Sequence, residues 1–270
     1  MLKRVYNYIF EKILWYKNFC SNKWKRYIIL TNYGLESKKF IDKYKFRVGY
    51  VFDVVDTISA NHIFSEIFIN ECYFLKKTNK KLLIIDIGAN IGFFCIYSLI
   101  KAPNSRIISV EADPSNYKIL KNNITTNNLN KKVTSINRAI FSIEGEIDFF
   151  PSNEDTGWSS VFNTRGAMNS NPIKIKTTTI SKLLISLEVK SVDFLKIDIE
   201  GSEYDVLIND MFLDNFQIKN LFIEVDRYPR DKRFSYDQLV DYLNNYYDNI
   251  SISGNSSDYP LIVCKGYKKN

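Results

Sequence analysis

The chain has 270 residues, a net charge of +7, 45% hydrophobic and 25% charged residues. This composition indicates a globular protein with a full core and excludes a disordered or collagen-like chain. The four cysteines form no C-x-x-C pair and His62 is the one histidine, so we expect no common zinc site, redox motif or histidine relay. No signal peptide is evident, and a cytoplasmic location is expected.

Residues 1–50 are basic, with twelve Lys or Arg against three acids. Apolar residues between Tyr6 and Phe19 recur at mostly helical spacing with lysines between them, which predicts a helix. We therefore expect residues 1–60 to be a basic, aromatic-rich N-terminal helical extension. It either caps the main domain, which we favour, or makes peripheral contact with an anionic membrane on its inner face or with an acidic partner. No nucleic-acid-binding motif accompanies the charge, so no nucleic-acid partner is expected.

The main domain, residues 61–270, is predicted to begin with a helix over 61–75. A buried strand over 82–86 follows, then the small-residue turn Gly88-Ala89-Asn90-Ile91-Gly92 and a helix over 93–100. A strand, a glycine turn and a helix open a βαβ nucleotide-binding unit, because the backbone N–H groups at the helix start are within reach of a ligand.

The details of this turn separate the possible ligands. Asn90 and Phe93 stand where a dinucleotide motif has its second and third glycines, which argues against NAD and FAD. Asp86 would repel a pyrophosphate, whereas it suits the ammonium and sulfonium groups of S-adenosylmethionine. The pattern favours S-adenosylmethionine, and a dinucleotide-dependent oxidoreductase is a disfavoured alternative.

A second predicted strand, 106–111, ends in Glu111, which lies 25 residues beyond Asp86. An acid at this place accepts hydrogen bonds from ribose hydroxyls in nucleotide-binding folds. Asp113 and Pro114 predict the cap and first turn of the next helix. A third strand over 133–140 is expected to end beside the adenine.

The remaining chain continues the alternation of strand and helix. A polar segment over 152–171 is long for a loop in a compact domain and is predicted to cover the cofactor or touch the acceptor. The other predicted elements are a hairpin strand over 145–150, an edge strand over 173–177, a helix over 180–187, a strand over 192–198, a helix that follows Glu203 and runs through Leu207, a strand over 221–226, a helix over 235–246, and a strand pair over 250–253 and 261–264. This order predicts an α/β fold with a mostly parallel sheet and a terminal antiparallel hairpin.

Three of the predicted parallel strands end in acids, Asp86, Glu111 and Asp198. In an open α/β sheet, ligands bind beyond the carboxyl ends of the strands. We therefore expect the three acids to share one crevice.

Three segments resemble the signatures of the FkbM family of methyltransferases: Asp86–Gly92, Val110–Pro114 and Leu195–Gly201. The resemblance covers residues 60–230 and implies a Rossmann-like methyltransferase fold with a seven-stranded sheet, and S-adenosylmethionine as cofactor. The cofactor-binding residues expected on this basis are Asp86, Gly88, Ala89, Asn90, Gly92, Glu111, Ala112, Asn137, Ala139 and Asp198.

The family often has Glu-Val-His after the fifth strand, where this chain has Glu224-Val225-Asp226. Any role of that histidine is therefore lost or taken by Asp226. The family is generally associated with O-methylation of sugars, polyketides and other secondary metabolites, which makes a small-molecule or glycan acceptor the expected partner.

The predicted activity is O-methylation of a hydroxyl, on a sugar or glycan precursor. Asp198 and Glu200 are the candidate catalytic residues, because a hydroxyl needs a base or a metal to become nucleophilic. We favour direct base action without a metal. One alternative is a Mg²⁺-like ion held by Asp198, Glu224 and Asp226, and another is a non-catalytic module that binds a partner or membrane through the basic N-terminus.

Overall fold

The protein is described from a computed structural model, which covers residues 43–45, 50–54, 57–152, 159–162, 171–253 and 258–268. The helix predicted between Tyr6 and Phe19 lies outside these residues. Within the predicted helical extension, strands β1 (Lys43–Lys45) and β2 (Val51–Asp53) form an antiparallel pair instead of helix. The backbone of β2 is held there by side chains of a later helix, a long-range contact that local periodicity does not report.

The helix predicted over 61–75 starts earlier and ends earlier. It consists of helix α1 (Thr57–Phe64), which continues as the π-helical turn Ser65–Ile69. The residues that follow run without regular structure to the first strand of the main sheet.

The other elements alternate as the sequence predicts. The strands are β3 (Leu83–Ile87), β4 (Arg106–Glu111), β5 (Val133–Asn137), β6 (Ala139–Ile140), β7 (Gly145–Phe149), β8 (Ile173–Thr178), β9 (Ser191–Val192), β10 (Phe194–Ile197), β11 (Gln217–Ile218), β12 (Asn220–Glu224), β13 (Tyr247–Ser253) and β14 (Leu261–Tyr267). The helices are α2 (Phe93–Lys101), α3 (Pro114–Thr126), α4 (Ile180–Ser186), α5 (Glu203–Asn209) and α6 (Tyr236–Asn244), with a 3₁₀ turn at Phe212–Asp214.

Seven strands form the main sheet in the order β13-β14-β12-β10-β3-β4-β5. The five strands from β12 to β5 are parallel, and β14 pairs antiparallel with both β12 and β13. The predicted mostly parallel sheet with a terminal antiparallel hairpin is confirmed. The order reverses between β3 and β10, and this switch point is where open α/β sheets bind ligands.

Three strand predictions need correction. The strand predicted over 192–198 is divided at Asp193, because Val192 belongs to β9, which pairs with β11 in a separate sheet, and only β10 is in the main sheet. The strand predicted over 133–140 is divided at Arg138, with β5 in the main sheet and β6 in a separate three-stranded sheet. The edge strand predicted over 173–177 is the middle strand of that small sheet, because β6 pairs with one side of β8 and β7 with the other.

Neighbouring residues of the central strands point to opposite faces of the sheet, as the period of a strand requires. Ile84 packs in an aromatic-rich layer with α1, α2 and α3, and Ile85 packs in an aliphatic layer with α4, α5 and α6. Each fully buried side chain of this size stabilises the fold by about 1.5–3 kcal/mol. The strands between the two layers are therefore held rigidly, and their carboxyl ends are fixed in space.

Local signals set where the helices begin. The Asp113 carboxylate accepts hydrogen bonds from the backbone N–H groups of Ser115 and Asn116, with Pro114 in the first turn, which confirms the predicted cap. Ser235 and Gln238 form a reciprocal capping box at the start of α6. Across the described ranges, no helix has both the length and the apolar character needed to cross a bilayer.

Candidate functional site

The glycine turn after β3 lies against the end of β10. Gly88 has φ +76°, and a Cβ atom built on it would lie 1.7 Å from the carbonyl oxygen of Asp198. No side chain fits that gap, so only glycine lets the two strand ends approach each other. The N–H groups of Gly88 and Ala89 both donate to the Val110 carbonyl, which fixes the turn to β4 as well.

Gly92 is needed for a different contact, the packing of helix α2 against helix α3. Its φ is +100°, and a Cβ atom there would lie 2.8 Å from Cδ1 of Leu120 in helix α3. The residue begins α2 and packs against α3, outside the lining of the cavity described below. The predicted contact of Gly92 with the cofactor stays a prediction, and the requirement for glycine that the structure shows comes from helix packing.

Glu111 joins the turn to the second strand. Its Oε2 accepts a hydrogen bond from the Asn90 N–H at 2.7 Å, and its Oε1 accepts one from the Asp113 N–H at 2.9 Å. Burial raises the pKa of this carboxyl to about 7, although the two N–H groups oppose the shift. Each carboxylate oxygen keeps a further lone pair for a ligand hydroxyl.

Lys196 connects three parts of the site. Its Nζ donates to the Gly88 carbonyl and to Oδ2 of Asp198, both at 3.0 Å, and lies 3.5 Å from Oδ1 of Asp86. The side chain is 3% exposed. Burial works against its charge, but the carboxylates of Asp198 and Asp86 raise its pKa above the ordinary value. This ammonium therefore ties the glycine turn to the predicted catalytic acid.

Asp86 does not line the cavity. It is 0% exposed, and neither of its oxygens accepts a hydrogen bond from a described group. Burial raises its pKa to about 6, and nearby Lys196 limits the rise. Asp86 was expected to face a cationic cofactor, but the cation that it faces in the structure is Lys196.

Asn137, another predicted cofactor residue, also stands behind the cavity. Its side-chain amide donates to the carbonyl oxygens of Glu111 and Ala112 at 2.9 and 3.1 Å. The residue therefore holds the end of β4, while Ala112 and Ala139 themselves line the cavity.

The loop after β10 is built around a buried carboxylate. Glu203 accepts hydrogen bonds from the N–H groups of Ile199 and Gly201, each with a shortest distance of 2.9 Å. Burial raises the pKa of Glu203 to about 7. The loop includes Glu200 in the left-handed region at φ +57°, and it places both Asp198 and Glu200 on the cavity wall.

The described part of the polar segment 152–171 reaches this site. The Ser160 hydroxyl donates to the carbonyl of Glu200 at 2.7 Å, and the Ser159 hydroxyl donates to Oδ2 of Asp113 at 2.9 Å. Ser159 also lines the cavity. For residues 159–162, the expectation of a loop at the site is consistent with the geometry.

Glu224 at the end of β12 completes the wall opposite Glu111. The Tyr73 hydroxyl donates to its Oε1 at 2.5 Å. Burial and the charge of Asp198 raise the pKa of Glu224 to about 8, and Lys196 opposes the rise. Sequence reasoning gave no role to Tyr73 or Lys196. A lysine inside an apolar strand was a usable signal for Lys196, whereas nothing near Tyr73 pointed to this contact.

These groups surround a cavity of about 640 Å³, a size typical of small-molecule sites. The predicted residues that line it are Gly88, Ala89, Asn90, Glu111, Ala112, Ala139, Asp198 and Glu200. The side-chain-free cradle at Gly88 and the half-satisfied carboxylate of Glu111 fit a nucleoside with ribose hydroxyls. The chemistry of this wall therefore fits S-adenosylmethionine.

The predicted metal alternative is not assembled in the structure. Among the residues that the structure describes, no group of three or more His, Cys, Asp or Glu side chains is placed to share an ion. Asp226 instead pairs with Arg230, whose Nε lies 3.2 Å from its Oδ2, and Asp198 pairs with Lys196.

Fold and site together define a nucleoside-binding α/β protein with acids around its cavity. The family described as "Methyltransferase FkbM domain" matches residues 86–250, which is more than half of the chain. The chain belongs to this family of methyltransferases, and its cofactor is S-adenosylmethionine.

Three similar proteins describe the relationship. The chain is 24% identical to methyltransferase sdnD of Sordaria araneosa, over 57% of this chain and 70% of that protein. It is 27% identical to the hexuronic acid methyltransferase AglP of Haloferax volcanii, over 58% of this chain and 62% of AglP, less than two thirds of that protein. A solved FkbM methyltransferase from Methylobacillus flagellatus KT is 15% identical, with a TM-score of 0.47 over 78% of this chain and 56% of that one.

Proposed function

We propose that this protein is an O-methyltransferase that methylates a hydroxyl of a sugar or glycan precursor. The observation that carries the proposal is the common cavity of the glycine turn and the carboxylates of Asp198, Glu200 and Glu224. AglP, which is named as a hexuronic acid methyltransferase, supports a sugar-like acceptor.

In our proposal the cofactor binds in the part of the cavity that is lined by residues of the signatures Asp86–Gly92 and Val110–Pro114. The turn from Gly88 to Asn90 would approach the ligand through its backbone, and Glu111 would accept hydrogen bonds from ribose hydroxyls. Ala112 and Ala139 would leave room for the base. Bound S-adenosylmethionine supplies an electrophilic methyl group.

The acceptor half is assigned to the acids at the ends of β10 and β12. The acceptor hydroxyl has a high pKa and must lose its proton as its oxygen gains the methyl group. Asp198 takes this proton in our proposal, because its carboxylate reaches the cavity and is fixed in place by Lys196. Glu200 is the second candidate for this role.

Glu224 has a separate part in the proposal. Burial and the charge of Asp198 raise its pKa to about 8, which favours the protonated form of the carboxyl at neutral pH. A protonated carboxyl can donate a hydrogen bond, and Glu224 would orient the acceptor oxygen in this way. The hydrogen bond from Tyr73 fixes the other oxygen of the same group.

The reaction can be tested with purified full-length protein, S-adenosylmethionine and a panel of neutral, N-acetylated and uronic sugars. We expect S-adenosylhomocysteine to form only with an acceptor that has a free hydroxyl, and NMR of the product to show an O-methyl group. Products methylated at nitrogen or carbon would contradict the proposal, while leaving the methyltransferase family assignment untouched.

A further inference from the structure

The amino ends of three neighbouring strands carry a group of exposed cations. Lys80 and Lys81 precede β3, Arg106 begins β4, and Lys131 and Lys132 precede β5. All five side chains are exposed. We call these five residues the amino-edge basic face.

The backbone places these residues side by side. The N–H of Arg106 donates to the Leu82 carbonyl at 2.9 Å, and the N–H of Ile107 donates to the Lys132 carbonyl at 2.8 Å. Neighbouring strands are separated by about 4.8 Å, so β3 to β5 spans roughly 10 Å. This span is comparable with the Debye length in physiological salt. The five charges therefore act jointly on an anionic surface that approaches this edge.

Little negative charge surrounds the amino-edge basic face. Segments 72–85, 99–110 and 127–135 contain eight Lys or Arg and no Asp or Glu. Within the part of the chain that the structure describes, one of these cations, Lys101, pairs with an acid, Glu71. The Lys132 ammonium donates to the Pro103 carbonyl, which leaves its charge uncompensated.

The basic N-terminal segment joins the fold at this same edge. The N–H of Val51 donates to Oδ1 of Asn127, and Nδ2 of Asn127 donates to the Val51 carbonyl, each at 2.7 Å. Asn127 ends helix α3 four residues before Lys131. Lys45 pairs with Val51 in the antiparallel β1–β2 pair, so this end of the pair lies beside the amino-edge basic face, while Lys43 lies opposite Asp53.

We propose that the amino-edge basic face binds the surface of an anionic membrane. Aromatic residues that alternate with cations along residues 1–50 favour lipid over other polyanions, because such side chains insert at the bilayer interface. This segment, which precedes β2, contains thirteen aromatic residues beside its twelve Lys or Arg. The cavity lies at the opposite edge of the sheet and stays open to an acceptor in water.

The proposal can be tested by co-sedimentation of the full chain with phosphatidylcholine vesicles that contain or lack phosphatidylserine. The test variant changes Lys80, Lys81 and Lys131 to Gln, since these side chains make no hydrogen bond or ion pair with another described residue. We expect its partition into the phosphatidylserine vesicles to fall on the order of 10²-fold.

The matched control removes the same charge elsewhere. It changes Lys118, Lys121 and Lys176 to Gln, which are exposed and lie within helix α3 or strand β8 and not at the start of a strand of the main sheet. We expect this control to lose much less binding, and both variants to keep the methyl transfer activity of the unmodified protein. Activity therefore reports the proposed function separately from membrane binding.

Several results would overturn the proposal. They are equal binding to both kinds of vesicle, equal losses in the test and control variants, or binding that does not weaken as salt rises. Release from phosphatidylserine vesicles by an equimolar DNA duplex would show a general polyanion surface and would overturn the choice of lipid.

Discussion

The two edges of the main sheet differ in whether their charged side chains are buried and paired or exposed and unpaired. At the carboxyl edge, Glu111, Glu224 and Lys196 are buried or half-buried, and each is bonded to a named partner. At the amino edge, Lys80 and Lys131 are exposed, and no described acid pairs with them. Buried charges are tolerated only when paired, whereas exposed charges need no partner and act over a longer range.

This difference predicts different responses to mutation. At the carboxyl edge, one substitution leaves a buried partner unpaired or disturbs a tight backbone contact, so single changes have large effects. At the amino edge, each charge contributes a small share to a common surface, so several must be changed together. The predictions below test this contrast from the largest expected effect to the smallest.

Gly88→Ala should have the largest effect. The new Cβ would overlap the Asp198 carbonyl, with 1.7 Å between them, in a backbone conformation that favours glycine. We expect loss of measurable cofactor binding in calorimetry and a free energy of unfolding lowered by about 3 kcal/mol or more.

Gly145→Ala is the matched control. Gly145 also has a positive φ, +150°, but nothing lies within 4 Å of its Cβ position. Gly145→Ala therefore places alanine at a positive φ, as Gly88→Ala does, but its Cβ overlaps no other atom. If both variants were equally mild, the close approach of β3 and β10 would not be essential.

Asp198→Asn should lower the rate of methyl transfer on the order of 10²-fold, because the amide cannot accept the proton of the acceptor. Cofactor affinity should change little, which equilibrium binding would show. Asp193→Asn is the control, at the opposite end of the same strand, where the acid pairs with Lys219 at 2.8 Å. Normal turnover in Asp198→Asn would remove this residue from the mechanism and leave Glu200 as the candidate base.

Glu111→Gln should weaken S-adenosylmethionine binding by about 1.5–3 kcal/mol, which is roughly ten- to a hundred-fold. The amide keeps one acceptor oxygen but loses the charge and one of the two hydrogen bonds to Asn90 and Asp113. Calorimetry with S-adenosylmethionine and with NAD measures both parts of the expectation. The exposed Glu146→Gln should bind like the unmodified protein, and tight binding of NAD would contradict the preference of this site for S-adenosylmethionine over a dinucleotide.

The smallest expected effect is a dependence of stability on pH. Burial raises the pKa of Glu203 in the folded protein to about 7, from an ordinary value of 4.5. A raised carboxyl pKa stabilises the fold below the unfolded value, and this contribution is lost as pH rises through the folded value. The melting temperature should therefore fall by a few degrees between pH 5 and pH 8.

Glu203→Gln isolates this contribution, because its amide does not titrate. The slope of melting temperature against pH should be smaller in this variant than in the unmodified protein. A slope that stays the same would assign the pH dependence to the other buried carboxyls, Asp86, Glu111 and Glu224, whose pKa values are also raised.

The sequence by itself determined the features that depend on neighbouring residues. Apolar runs, the Gly88 turn and the Asp113 cap predicted the alternation of strands and helices, and three short signatures identified the family. They also predicted one crevice for Asp86, Glu111 and Asp198, and the structure places Glu111 and Asp198 on the cavity with Glu200, whereas Asp86 is buried outside its lining. The predictions of turn, cap and strand held because strand period, left-handed glycine turns and helix caps are local properties of the chain.

Only the tertiary structure decided which partner each charge meets. Tyr73 and Glu224 are 151 residues apart and form one hydrogen bond, while Lys196 rather than a ligand faces Asp86. The amino-edge basic face joins three separate segments in the same way. A parallel sheet brings together strands that are distant in sequence, and its register decides which side chains face the cavity, the core or the solvent.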